Sequence, residues 1–271
     1  MSYYEILNLH KEPFSTSPDP YFFFRSSAHE TAIKRLEIAI RLRRGLSVIL
    51  GDVGTGKTTL GRTLLQGFNN EDQYVFHLLL DPTYKSEFQL LSSLAKMFGV
   101  STNCRSTLDY RDAIEKYLFH KGVDENKTII LLIDEGQKLT PTFLEILRTL
   151  LNYETNEYKL LQLVILAQME LLPKIRRIKN FYDRITLKYI INPLDQRETK
   201  EMIGFRLNQA GYDASSNIFT DEAIKLIYEH TMGYPRKISV LCHNALEELV
   251  MKNKSLIDEG LMLEVIRNEV V

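Results

Sequence analysis

Only two cysteines, Cys104 and Cys242, occur in 271 residues. They lie far apart in no metal or redox spacing, which excludes a disulfide framework and leaves them to be read as buried free thiols in a reducing compartment. The six histidines show no ligand spacing either, so His29 and His243 read as ordinary helix residues. No stretch offers the roughly 18 uncharged apolar residues that a membrane span requires. The opening MSYYEILNLHKEPF carries charges where a signal peptide needs an apolar core. A net charge of −1 supplies no global positive field to draw the chain onto nucleic acid or anionic lipid. Repeats and low-complexity tracts are absent, and the chain reads as cytoplasmic.

What is present is a folded composition, 44% hydrophobic and 25% charged, in a chain longer than the usual single domain. Five short apolar runs read as buried parallel strands: LSVIL (46–50), YVFHLLL (74–80), TIILLI (128–133), LQLVILA (161–167) and ITLKYII (185–191). Their apolar residues are near-continuous, as expected where helices cover both sheet faces. Helical patterns alternate with them, which predicts an α/β domain. Thr140 before Pro141 predicts a capped helix start, and Ser27 with Glu30 has the capping-box spacing. Beyond Asn192-Pro193 only amphipathic helices follow. The predicted organisation is an α/β core over 1–193 and a helical domain over 194–271.

The stretch LGDVGTGKTT (50–59) sits between a predicted strand and a predicted helix, and Gly51, Gly56, Lys57 and Thr58 satisfy G-x-x-x-x-G-K-[ST]. Glycines let backbone N–H groups turn inward around phosphates, and the following helix adds its positive end. The whole loop, Gly51, Asp52, Val53, Gly54, Thr55, Gly56, Lys57, Thr58 and Thr59, is the expected ATP cradle. Lys57 would reach the β- and γ-phosphates and Thr58 would ligate Mg²⁺. The third strand ends in LLIDEGQKL, which places Asp134 and Glu135 at the carboxyl edge of the sheet. Asp134 is the expected Mg²⁺ partner, and Glu135 the group that orients or deprotonates the attacking water.

These two motifs followed by a helical domain resemble the AAA+ ATPases, with a P-loop NTPase core and a helical lid. More narrowly, EPFSTSPDPYFFFRSSAHETAIKRL, GDVGTGKTT, LLIDEGQKL, ILAQMEL and GYPRKISVL resemble the ExeA/GspA-type ATPases of general secretion and pilus assembly. The resemblance spans nearly the whole chain. It implies that Gln168 is the polar sensor of the γ-phosphate, although many AAA+ proteins use Asn or Thr there. It implies that Arg236 is the lid arginine, and that Arg184 is the finger entering a neighbouring subunit's site, with Arg176 and Arg177 as rivals. Phe23 and Phe24 are named as adenine contacts, with core packing as the alternative. The implied setting is a homo-oligomer at the inner face of the inner membrane, with a GspB-type membrane protein as partner. Proteins of this type commonly continue into a membrane span and a peptidoglycan-binding domain, neither of which lies in these 271 residues. Two other readings stand beside it. One is a DNA-dependent AAA+ regulator like TniB, MuB or the Cdc6-like initiators, touching phosphates through KIRRIK or KRLEIAIRLRR. The other is a nucleotide-gated binding module.

Overall fold

The computed structural model describes residues 3–100, 104–212 and 217–269. The apolar runs form five strands, β1 (Leu46–Gly51), β2 (Tyr74–Leu79), β3 (Thr128–Ile133), β4 (Leu161–Ala167) and β5 (Ile185–Ile191). All pairings are parallel and the sheet order is β2-β3-β4-β1-β5. Helices of the first compact unit, residues 29–52 and 60–191, pack on this sheet. Its core joins Leu50, Ile133 and Ile165 of the strands to Leu94, Ile114, Leu147 and Phe181 of the helices. Each such side chain contributes roughly 1.5–3 kcal/mol by leaving water.

The expectation of five buried strands holds for β1, β3 and β4 and is corrected for the other two. In β5 the residues Thr186, Lys188 and Ile190 are exposed and alternate with half-buried neighbours, and β2 is only partly covered. Both are edge strands, so one side of each lacks a neighbouring strand and its helical cover.

Local signals set the helix ends. Thr140 accepts the Phe143 N–H and Pro141 opens the helix Pro141–Leu150, as predicted. Ser106 and Asp109 close a capping box before Thr107–Phe119. The helix Ser27–Arg41 begins at Ser27 itself, whose N–H and hydroxyl both meet the Glu198 carboxylate. The stretch after β4 forms two short helices, Leu171–Arg177 and Lys179–Tyr182, because Ile178 leaves helical geometry at ψ 77°.

The second compact unit comprises residues 1–28, 53–59 and 192–271. Its C-terminal helices are Gln196–Gln209, Asp221–Thr231, Pro235–Met251 and Glu259–Glu269. The N-terminal segment therefore groups with the helical unit and not with the α/β core, a correction to the expected division. The physical reason lies in its aromatic content, which has no core of its own. Phe14 is buried among Met202, Ile227, Leu241 and Met262, edge-on to Phe219 at 6.3 Å. The His10 N–H donates to the Ala210 carbonyl at 2.8 Å. Arg206, whose pKa burial pushes down to about 10, donates to the Pro13 and Ser15 carbonyls. Cys104 and Cys242 are free thiols, and burial pushes the Cys242 thiol up, out of reactive range. No helix among the described residues is long and apolar enough to cross a membrane.

Candidate nucleotide site

β1 ends at Gly51 and the helix Lys57–Gly67 begins six residues later, so the intervening loop turns the chain within a few residues. Gly54 and Gly56 take φ of +82° and +91°, a region that costs a side-chain-bearing residue strain. Lys57 is only 8% exposed and Thr55 1%. Thr58 and Thr59 lie in the first helical turn, where backbone N–H groups lack helical partners and favour an anion. A Cβ at Gly54 would stand 2.9 Å from the Arg236 Cβ, and the Arg236 N–H donates to the Gly54 carbonyl at 3.2 Å. The first turn of Pro235–Met251 thus rests on the loop. Beside this contact lies a cavity of about 570 Å³ lined by Val53, Gly54, His230, Arg236, Lys237 and Val240, among others.

The acidic pair is built on the neighbouring strands. β4 lies between β3 and β1, with Ile165 level with both Ile133 and Val48, so Asp134 and Gly51 leave the same edge of the sheet. Asp134 is 5% exposed; its N–H donates to the Leu79 carbonyl and its Oδ1 accepts the Glu135 N–H at 2.9 Å. Glu135 takes left-handed geometry, φ 53° and ψ 34°, and leads into the 3₁₀ turn Gly136–Lys138. Its Oε2 accepts the Gln137 side-chain N–H at 2.7 Å, while Gln137 Oε1 accepts the Gln168 backbone N–H at 3.1 Å. Lys174 donates to the Gln137 carbonyl. Lys138 pairs with Asp81 at 2.9 Å, and that carboxylate holds the Lys138 ammonium above its ordinary pKa. Hydrogen bonds from Thr83 and then Lys138 hold Asp81 below the usual carboxylate range.

Residues 40–175, which carry both motifs, match the AAA domain family. The chain belongs to that family. It is 34% identical over 247 residues to the general secretion pathway protein A of Aeromonas hydrophila, across 90% of this chain and 44% of that protein. An uncharacterised HTH-type transcriptional regulator of Methanocaldococcus jannaschii is 29% identical over 161 residues, 57% of this chain and 39% of that one. The chain thus spans less than half the length of either relative. Among solved structures, the Aeropyrum pernix ORC2 protein in ADPNP-ADP complexes superposes with a TM-score of 0.70 at 16% identity, over 95% of this chain and 71% of that one. A structure of Drosophila ORC bound to DNA gives 0.74 at 17% identity, over 100% and 66%. These likenesses establish the fold, a P-loop NTPase core followed by a helical region.

Within this AAA chain the predicted residues fall into groups. Glu135 and Gln168 are brought together, through Gln137; Gly54 and Arg236 are brought together directly. Arg184 precedes β5 at the opposite sheet edge and hydrogen-bonds Asn152 Oδ1 at 2.5 Å. Arg176 and Arg177 close the helix Leu171–Arg177, and Lys188 foremost, with Arg176, holds the Tyr182 phenol below its usual pKa. Phe23 is buried, and Phe24 packs 6.0 Å from Phe205. Among the described residues no group of three or more His, Cys, Asp or Glu could hold a metal. Sequence reading missed Gln137, Lys174 and Asp81; only the amide two positions after the acidic pair hinted at the first.

Proposed function

We propose that the chain is an ATPase that binds Mg·ATP on the 51–59 loop and hydrolyses it with Glu135 as the water-activating base. The observation that carries this is the pairing of a left-handed glycine loop opening a helix with an acidic strand end on the same sheet edge. The donor set fits the ligand: a hydroxyl at Thr58 and the carboxylate of Asp134 suit Mg²⁺, which takes few protein ligands and completes its shell with water and phosphate oxygens. Bound Mg²⁺ would neutralise charge on the phosphates. Lys57 and the loop N–H groups would hold the β- and γ-phosphates in place, and Glu135 would take a proton from the attacking water. Gln168 and Arg236 would read the γ-phosphate, and Arg184 would complete the site of an adjacent copy.

Lys57→Ala should abolish binding of a fluorescent ATP analogue. Glu135→Gln should keep binding within a few-fold and lose about 10²–10⁴-fold in turnover. Turnover undiminished in Glu135→Gln would refute the assignment.

The kinship with a general secretion protein favours service to an envelope secretion or pilus machine, at the inner face of the inner membrane with a GspB-type partner. A DNA-dependent role is the second reading, since Drosophila ORC bound to DNA shares this fold. Against it, the basic strip before β1 is largely spent within the fold. Arg41 pairs with Glu71 at 2.6 Å, and Arg43 bonds Thr128 and Asn126 while lying over Tyr158. Turnover measured against protein concentration, with and without duplex DNA, separates the two. A steep concentration dependence indifferent to DNA supports assembly, whereas salt-sensitive stimulation by DNA supports the regulator.

A further inference from the structure

We infer that Gln137 is a positioning residue for hydrolysis, fixing the Glu135 carboxylate to the end of β4, a reading that rests on Glu135 being the water-activating group. The geometry of this turn asks for two opposite things at one point. The Glu135 carboxylate needs a donor, and the Gln168 backbone N–H needs an acceptor. A carboxamide is the side chain that supplies both from one planar group. In Gln137 the Nε2 goes to Glu135 Oε2 at 2.7 Å and the Oε1 to Gln168 N at 3.1 Å, so the network itself assigns which end of the amide is which. An ionised carboxylate here could only accept, an ammonium only donate, and an apolar chain neither. The bond to Glu135 is charge-assisted and therefore among the stronger neutral-to-ion contacts.

The rest of the turn prevents the amide from drifting. Asp134 Oδ1 caps the Glu135 N–H, Lys174 grips the Gln137 carbonyl from the helix after β4, and Lys138 is paired to Asp81 beyond β2. Glu135 is held in a left-handed conformation that costs on the order of 1 kcal/mol or more for a residue with a side chain. Strain of this kind persists where the surroundings over-determine the backbone, and these contacts do so. The consequence is a single-amide link: the water-activating carboxylate moves with the backbone of Gln168, the residue expected to sense the γ-phosphate. A shift of the β4 end when the phosphate leaves would then pull the carboxylate out of register.

The test uses the whole chain, with kcat, KM for ATP, Kd for a non-hydrolysable analogue and the melting temperature read for each variant. Gln137→Met keeps the length and removes both bonds. It should lower kcat by roughly 10–100-fold, as loss of an orienting partner typically does, with KM, Kd and melting temperature near wild type. Gln137→Glu supplies the pH signature. When protonated, its carboxyl can donate to Glu135 and accept from Gln168 as the amide does; when ionised, it repels Glu135. The ratio of its kcat to that of wild type should therefore climb as pH falls. The inference is overturned by wild-type kcat in Gln137→Met, by a kcat loss matched by lost affinity or melting temperature, or by a Gln137→Glu profile parallel to wild type. Turnover retained in Glu135→Gln would instead remove the assignment beneath it. An inert Glu135→Gln beside a fully active Gln137→Met removes the Gln137 inference alone.

Discussion

The loop after β1 and the turn after β3 solve the same backbone problem by opposite means. Both must reverse the chain at the carboxyl edge of the sheet, and both pass through positive φ. The loop after β1 uses Gly54 and Gly56 there, because what it presents is backbone N–H groups and a side chain would obstruct them. The turn after β3 places Glu135 at φ 53° instead, because what it presents is a carboxylate, which glycine does not have. At Glu135 the left-handed backbone carries a side chain that glycine would lack. The two also differ in what holds them. The loop is seated by the first turn of the helix carrying Arg236, whereas the turn is held by side chains from β4 and β2 surroundings.

The contrast can be broken from either side. Gly54→Ala should be the most damaging change, since it forces φ +82° on a residue with a Cβ and sets that atom 2.9 Å from the Arg236 Cβ. A loss of about 2 kcal/mol in a denaturant titration is expected, with weakened nucleotide binding. Glu135→Gly should do the reverse, gaining about 1 kcal/mol in the same titration by relieving the left-handed strain while turnover disappears. A variant that loses stability would show that the bond between Glu135 and Gln137 outweighs the backbone strain. Asp81→Asn should have the smallest effect. The Lys138 pair it breaks is exposed, and exposed pairs contribute little. A melting temperature within about 1 °C of wild type and a kcat within about two-fold would locate the turn's restraint on the β4 side.

Strand positions were legible because fully covered parallel strands leave unbroken apolar runs, and β3, β4 and β5 occupy the predicted residues. Which strands were edges was not legible, since order in the sheet is a property of the crossovers and not of any one segment. The glycine loop after β1 and the Asp134-Glu135 strand end were visible because their signals are local in sequence. The role of Gln137 was hidden because its two bonds depend on β4 lying beside β3. The grouping of the N-terminal segment was hidden for the same reason: Phe14 and Phe24 pack with C-terminal helices far along the sequence.

That last feature sets a schedule for synthesis. Phe219, the partner of Phe14, is made roughly 200 residues after it, a wait on the order of 10–40 s at ordinary translation speeds. Meanwhile the sheet and its helices can close around their own interior. The N-terminal aromatics therefore wait, without their packing partners, until the helices that bury Phe14 have been made.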